Sequence, residues 1–391
     1  MAVKVRDLYE SVKKQDIELI AGKNGLDNVV RWVHMVENIE TSVFLEGQEI
    51  AFTTGIGLRK KDDLFELVKY TYENHASGMV ISTGPYIAEI SDEIIEFCDE
   101  KNFPFFIVPW HVYFAEIMRE FCYKITVSDK IDMELTNAIK NAIFFEKEED
   151  LYVPQFEMHK LKADWSYCLA IIEISERDTG KIIDKEKQTK ALRNIENTLI
   201  SHSFRYSFVL ELDGRFVLLF AKYDEDTIKE MVESIKENLE NLLEHDEKMC
   251  FCIGKSTRNI KCVAKSYRKA LDVLRLQKRR GKYDEVTIYK DLGLYKLLLS
   301  MEDTNAMKEY SQETIEPLIN YDYLNSTDYV LILETYLSLN GGVKDVAAKL
   351  SVHRNTINYK IKKIEEILSC DLSDLDTRLI LRVGLMIKKI T

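Results

Sequence analysis

The chain has 391 residues, 46% of them apolar and 31% charged, and a net charge of −12, which suits two or three folded domains and excludes a disordered or fibrous protein. No apolar run approaches the ~20 residues of a bilayer-spanning helix, and the start, Met1-Ala-Val-Lys-Val-Arg-Asp-Leu-Tyr-Glu, has no signal-peptide pattern, so a cytoplasmic protein without membrane contact is expected. Seven cysteines without a C-x-x-C pair point to a reduced compartment and buried thiols, and the sequence implies no metal site and no cofactor.

In chain order, residues 1–125 read as an α/β domain. Glu49-Ile-Ala-Phe-Thr53, Gly78-Met-Val-Ile-Ser82 and Phe103-Pro-Phe-Phe-Ile-Val108 have the apolar run of strands, and 62–75, 91–101 and 112–124 that of helices. Strand–helix alternation predicts a parallel sheet. The segments after the strands carry hydroxyls and glycines: Thr53, Thr54 and Gly55, then Ser82, Thr83 and Gly84, then Trp110 and His111. The carboxyl ends of strands in such sheets are where ligands sit, so these eight residues are the candidate effector site. The plainer alternative is that they only make turns and caps. Within 1–125 neither a dinucleotide fingerprint nor a phosphate-binding P-loop is present, since position 60 is Lys and no Gly-Lys-Ser/Thr occurs there.

Residues 126–150 read as a joining helix. Ile131, Leu135, Ala138, Ala142 and Phe145 repeat at four, three, four and three, the spacing of a short coiled-coil seam. Packing on the helix's own domain would give the same pattern.

From 151 to 295 the pattern is α+β. Tyr167-Cys-Leu-Ala-Ile-Ile172 is a strand and 184–201 a helix; Asp213-Gly214 then joins two apolar runs, 207–212 and 215–220, as a hairpin. Helix 224–243, strand 249–253 and helix 260–279 complete a ferredoxin-like unit. Cys250-Phe-Cys252 places two thiols on one strand face but lacks supporting histidines.

The last segment, 296–391, is the most specific. An apolar helix runs through Val330, Leu333 and Leu337 and stops at Asn340-Gly341-Gly342. Helix 343–350 offers Val346, Ala347 and Leu350 inward; Ser351 makes the turn and His353 caps the second helix. In that helix Ile357, Ile361, Ile364 and Leu368 form one stripe, and Asn355, Tyr359, Lys362 and Lys363 lie opposite, with Thr356 and Asn358 on the flanks. No acid occurs between 348 and 363. Residues 341–391 hold ten Lys/Arg against six Asp/Glu, a surplus of four that leaves −16 for the rest. This is a helix-turn-helix with a basic second helix, built to enter a major groove of double-stranded DNA. Arg354 and Asn355 suit base edges, while His353, Thr356, Asn358, Tyr359, Lys360, Lys362 and Lys363 complete the interface and fix register on the phosphates. A solvated basic helix in an ordinary bundle is the alternative.

Three segments resemble one known family. His353-Arg354-Asn355-Thr356-Ile357-x-Tyr359-Lys360, then Ile364-Glu365-Glu366 and Asp371-Leu372-x-Asp374-x-Asp376-x-Arg378-Leu379, look like the C-terminal helix-turn-helix of the purine-catabolism regulator (PucR) family and its sugar-diacid regulator relatives. Lys360 stands where that family usually has Arg, and Ser369 where it usually has Gly, which suggests a helix ending without the left-handed glycine cap. Glu49-Ile-Ala-Phe-Thr-Thr-Gly and Phe103-Pro-Phe-Phe-Ile-Val-Pro resemble the family's N-terminal domain, regarded as a metabolite sensor. Ile253-Gly254 with Ser266-Tyr267-x-x-Ala270 resembles its degenerate cyclase-like domain.

The resemblance implies a metabolite-responsive transcriptional regulator of a catabolic (purine, amino-acid or sugar-acid) operon. It would bind a DNA operator and an unidentified small effector, and act as a homodimer or higher homo-oligomer. The alternative is a nucleotide enzyme of the diguanylate cyclase type. Such enzymes carry a Gly-Gly-Asp/Glu-Glu-Phe hairpin, whereas this one reads Leu212-Asp213-Gly214-Arg215-Phe216, leaving Glu173 and Asp213 as the remaining oxygen donors for Mg²⁺. The loss of a glycine and of the key carboxylate favours a non-catalytic module. A third reading has the N-terminal domain sensing a partner protein.

Overall fold

A computed structural model of the chain describes residues 3–58, 63–202, 204–242, 246–301 and 304–390. Asp62 and Leu243, the expected start of one helix and end of another, lie outside them. Packing divides the chain into two compact units, one of 1–165 with 190–210 and 259–262, the other of 166–189, 211–258 and 263–391.

The first unit begins with β1 (Val3–Lys4), α1 (Val5–Val12), β2 (Glu18–Ala21), β3 (Val29–Val30), β4 (Trp32–Met35) and α2 (Ile39–Ser42). It continues through β5 (Glu49–Thr53), α3 (Asp63–Glu73), β6 (Gly78–Thr83), α4 (Asp92–Glu100), β7 (Phe105–Pro109) and α5 (Phe114–Phe144), and the short α6 (Val153–Met158) follows. The sheet order is β2-β7-β6-β5-β4. β4 to β7 are parallel to their neighbours and β2 pairs antiparallel with β7, so the expected parallel sheet carries one antiparallel edge.

Alternation along the strands feeds two cores. Ile50, Phe52, Val80, Phe106 and Val108 face Leu8, Val12, Ile117 and Phe121 of α1 and α5. Ala51, Met79, Ile81 and Phe105 face Leu64, Leu67, Ile94 and Cys98 of α3 and α4. The result is three layers. Because β4, β5, β6 and β7 follow one another across the sheet in sequence order, strand order never reverses among them. The crevice that a reversal opens in doubly wound folds is not generated here.

The two helices expected over 112–124 and 128–148 are one, the 31-residue α5. Ile125-Thr-Val-Ser128 contains no Gly or Pro to break it. The expected seam is consumed inside the unit: Leu135, Ala138 and Ala142 are buried, where α5 packs on α6. Phe145 is instead 49% exposed at the helix end. That seam is therefore no free coiled-coil face.

The middle of the chain supplies β8 (Tyr167–Glu176), α7 (Lys185–Ser201), β9 (Ser207–Leu212), β10 (Arg215–Ala221), α8 (Glu225–Glu240), β11 (Glu247–Ile253), α9 (Val263–Arg280) and β12 (Val286–Ile288). The sheet order is β12-β11-β8-β10-β9. The expected hairpin turn is present, with Asp213 at φ 51° and Gly214 at φ 73°, the left-handed pair that a two-residue hairpin needs. Helix α9 lies on β8 and β11. Ser266 Oγ accepts from the Leu169 backbone N–H at 2.8 Å, and a Cβ at Gly254 would collide with the Ser266 carbonyl oxygen. The Gly254/Ser266 pair thus sets how closely α9 approaches the sheet.

After α10 (Tyr295–Leu298) come α11 (Thr304–Thr314), α12 (Glu316–Asn325), α13 (Tyr329–Ser338), α14 (Val343–Lys349), α15 (Arg354–Leu368) and α16 (Leu375–Lys388). Their core gathers Leu318, Ile332, Leu333, Tyr336, Val346, Ala347, Ile357, Ile361, Ile364, Leu381 and Leu385. Burial of each isoleucine contributes about 2–3 kcal/mol, and the α15 stripe read from the sequence is the buried one. Among the described residues no helix is long and apolar enough to cross a membrane.

Candidate nucleic-acid interface and effector edge

Helix α15 starts where the chain leaves a tight turn. Ser351 adopts φ 56°, and His353 Nδ1 accepts from the Asn355 backbone N–H at 3.2 Å, satisfying one orphan donor of the first turn. With Ile357, Ile361 and Ile364 buried, the residues left outward are His353, Arg354, Asn355, Asn358, Tyr359 and Lys362, all exposed, with Thr356 half-buried. Arg354, Asn355, Asn358, Tyr359 and Lys362 recur at one, three, one and three residues, so they share a face. Tyr359, at 59% exposure, projects furthest from the apolar stripe.

Two of the expected contacts are already engaged. Lys360 turns back to Asp328, its Nζ 2.6 and 2.8 Å from the carboxylate oxygens. Lys363 pairs with Glu366 at 2.5 Å, and that hydrogen bond raises its pKa above the usual lysine value. Neither is a free cation, whereas Lys362 forms no ion pair with any described residue. Asp328 is available because Asp322 does its capping: the Asp322 carboxylate accepts from the Tyr329 and Val330 backbone N–H groups at 2.9 and 2.8 Å. The Lys360–Asp328 bridge ties α15 to the start of α13. No sequence pattern singles out Asp328, because the pair is 32 residues apart.

The end of α15 corrects one expectation. Ser369 itself takes the left-handed cap, φ 50° and ψ 45°, so the cap persists without glycine at a cost in backbone strain. Ser369→Gly is expected to stabilise the protein by about 1 kcal/mol, read as a raised denaturation midpoint. An unchanged or lowered midpoint contradicts this.

In the first unit the structure brings the expected effector residues to one sheet edge. Thr53 ends β5, Thr83 ends β6 opposite Pro109, and Trp110 follows β7. The donors there are occupied, however. Glu37, which no sequence pattern singled out, accepts from Thr53 Oγ1 at 3.2 Å, from the Thr54 backbone N–H at 3.2 Å and from Thr54 Oγ1 at 2.8 Å. The Gly55 N–H donates to Thr53 Oγ1 at 3.2 Å. The Gly84 N–H donates to the Ile87 carbonyl at 2.8 Å, Thr83 Oγ1 to the Val108 carbonyl at 3.4 Å, and Ser82 is buried. Trp110 remains 44% exposed beside Tyr86, ring centroids 5.6 Å apart. The His111 side chain is 75% exposed, 3.9 Å from Asp16.

The cyclase-like hairpin has lost its metal-facing character. Glu173 is buried, one oxygen accepting from Arg215 Nε at 2.8 Å and the other 2.5 Å from Lys278 Nζ. Both donor oxygens are held by cations, and Asp213 is exposed in the turn. Cys250 and Cys252 are buried; burial pushes the Cys250 thiol up to about 12 and the Cys252 thiol well above its usual value, so neither is poised as a thiolate ligand.

Comparison with known proteins bears on both ends of the chain. The purine catabolism regulatory protein-like family matches residues 7–125, the GGDEF-like domain 154–276 and the PucR C-terminal helix-turn-helix domain 329–387. The proline-responsive transcriptional activator PutR of Bacillus subtilis (strain 168) is 28% identical over 230 residues, 57% of this chain and 54% of its own. The purine catabolism regulatory protein of the same organism is 29% identical over 145 residues, 37% of this chain and 26% of its own. The chain thus spans about half, or less, of the length of these curated relatives. A regulator of polyketide synthase expression from Bifidobacterium adolescentis, of known structure, aligns with 65% of this chain and 96% of its own at 15% identity and a TM-score of 0.29, too slight a likeness to argue from. One chain thus carries, in order, a segment that matches the purine catabolism regulatory protein-like family, a GGDEF-like domain and a PucR C-terminal helix-turn-helix domain.

Proposed function

We propose that the protein is a metabolite-responsive, DNA-binding transcriptional regulator of a catabolic operon. The single observation that carries this is the outer face of the first half of α15, free of acids as far as Lys363, where Arg354, Asn355, Asn358, Tyr359 and Lys362 stand exposed over a buried isoleucine stripe. Arg354 and Asn355 read base edges. His353, Thr356, Asn358, Tyr359 and Lys362 position the helix on the backbone, and Lys360 and Lys363 join them on exchanging a carboxylate for a phosphate. The names of the relatives, one proline-responsive and one concerned with purine catabolism, support a catabolic setting.

In this reading 1–125 senses the effector, 126–150 joins, 151–295 relays and 296–391 binds DNA. The run from β8 to β11, a βαββαβ order with β8 and β10 central between β11 and β9, supports a ferredoxin-like relay. Arg215 and Lys278 on Glu173 support a relay without catalysis, since Mg²⁺ would have to displace both cations. The protein works as a homodimer, because helix-turn-helix proteins read paired half-sites about one helical turn apart. Effector binding changes operator affinity to the extent that it prefers one arrangement of the two heads.

Selection of bound fragments from genomic DNA tests this directly, and purified protein that ignores every duplex at low salt refutes it. Lys362→Ala is expected to weaken all duplexes about equally and to lower the salt slope of binding by roughly one. A changed sequence preference with an unchanged slope would move Lys362 from the phosphates to the bases.

A further inference from the structure

The effector edge has the opposite electrostatic sense from the one its sequence suggests. Hydroxyls and backbone N–H groups at strand ends suit an anion. Here they converge on Glu37, so the group presented at the end of β5 is a carboxylate. Two hydroxyls and one N–H donate to it, the N–H shared between both oxygens. These donors carry no net charge, and Glu37 forms no ion pair with any described residue.

Close approaches between the strand-end segments link the Thr54–Gly55 turn, which holds this carboxylate, to two exposed aromatic residues. A Cβ at Gly55 would lie 2.6 Å from Ile87 Cγ1 and 3.4 Å from Tyr86 Cβ; one at Gly84 would lie 2.7 Å from Trp110 Cβ. The segments after β5, β6 and β7 therefore touch in series, running from Glu37 through Thr54 and Gly55 to Tyr86 and Trp110. Both rings are substantially exposed, Tyr86 at 54% and Trp110 at 44%, and they meet at 57°. A fixed carboxylate on the same sheet edge as exposed aromatic rings suits a cation, and it repels an anion.

We propose that this edge recognises a small protonated amine, its ammonium group donating to Glu37 and its carbon skeleton lying on the Tyr86–Trp110 pair. The proposal rests on the reading of 1–125 as a small-molecule sensor and names the ligand class of that site. Thr53 and Thr54 are then positioning residues, which aim Glu37 instead of touching the ligand.

The test is thermal unfolding of the full chain with three probes of equal carbon number at constant ionic strength and pH 7.5: 1,4-diaminobutane, 4-aminobutyrate and succinate. The two amines are expected to raise the melting temperature and succinate to leave it unchanged. Glu37→Gln keeps an amide oxygen for the threonine donors, and is expected to weaken the amine response at least tenfold. Trp110→Ala, at a half-exposed position, is expected to weaken it as well and guards against misfolding of the first variant. A response to succinate alone overturns the amine assignment and leaves a small-molecule sensor standing. So does an amine response unchanged in both variants. Silence toward both amines also overturns it, while operator binding, followed separately by mobility shift, reports on the DNA-binding reading.

Discussion

Alanine at both Arg354 and Asn355 is expected to cost operator binding about 2–6 kcal/mol, since each well-placed contact to a base edge is worth about 1–3 kcal/mol. Both residues are exposed at the first turn of α15, and neither side chain supports the core formed by Ile357, Ile361 and Ile364. The fold should therefore survive, with helix content and melting temperature close to those of the parent. Binding to non-specific duplex should fall much less, because Lys362 and the other groups proposed to face phosphates remain. The readout is the ratio of specific to non-specific affinity at fixed salt. A ratio unchanged by the double substitution would mean that sequence is read elsewhere.

Arg215→Ala is expected to destabilise the second unit by about 3 kcal/mol. Glu173 is 1% exposed on β8, a strand buried along nearly its whole length. Without Arg215 it keeps only Lys278, whose side chain is 40% exposed, so a buried carboxylate is left half neutralised. The cost belongs to the orphaned charge more than to the lost bridge. Arg215→Met combined with Glu173→Leu should therefore recover most of the stability, because apolar replacements of a whole buried pair are often neutral. Denaturant melts of the parent, the single and the double variant decide this. Equal losses in the single and double variants would show that packing of the arginine stem, not charge, holds the site.

How much was legible in advance depended on how local the signal was. The Ile357, Ile361, Ile364 stripe, the His353 cap and the Asp213-Gly214 turn each depend on residues within about one turn of one another, and the structure contains all three. The four short strands before residue 36 were not legible. Strands of two to four residues such as β1, β3 and β4 carry too little period to register, and they persist through pairing with partners far along the chain. The join inside α5 was misplaced because a run of β-branched residues at 125–127 weakens helix propensity; burial of Phe121, Ile125 and Leu135 outweighs it.

The sequence by itself determined which helix faces outward with a basic surface, where its turn lies, and that the cyclase-like hairpin had lost a carboxylate. All of these follow from residue type and short-range spacing. Only the tertiary structure decided which polar groups remain available. Lys360 is engaged by Asp328, Glu173 by Arg215 and Lys278, and Thr53 and Thr54 by Glu37, across separations of 16 to 105 residues. Hydrogen bonds and ion pairs act over about 3 Å in space whatever their distance along the chain, and periodicity carries no record of them.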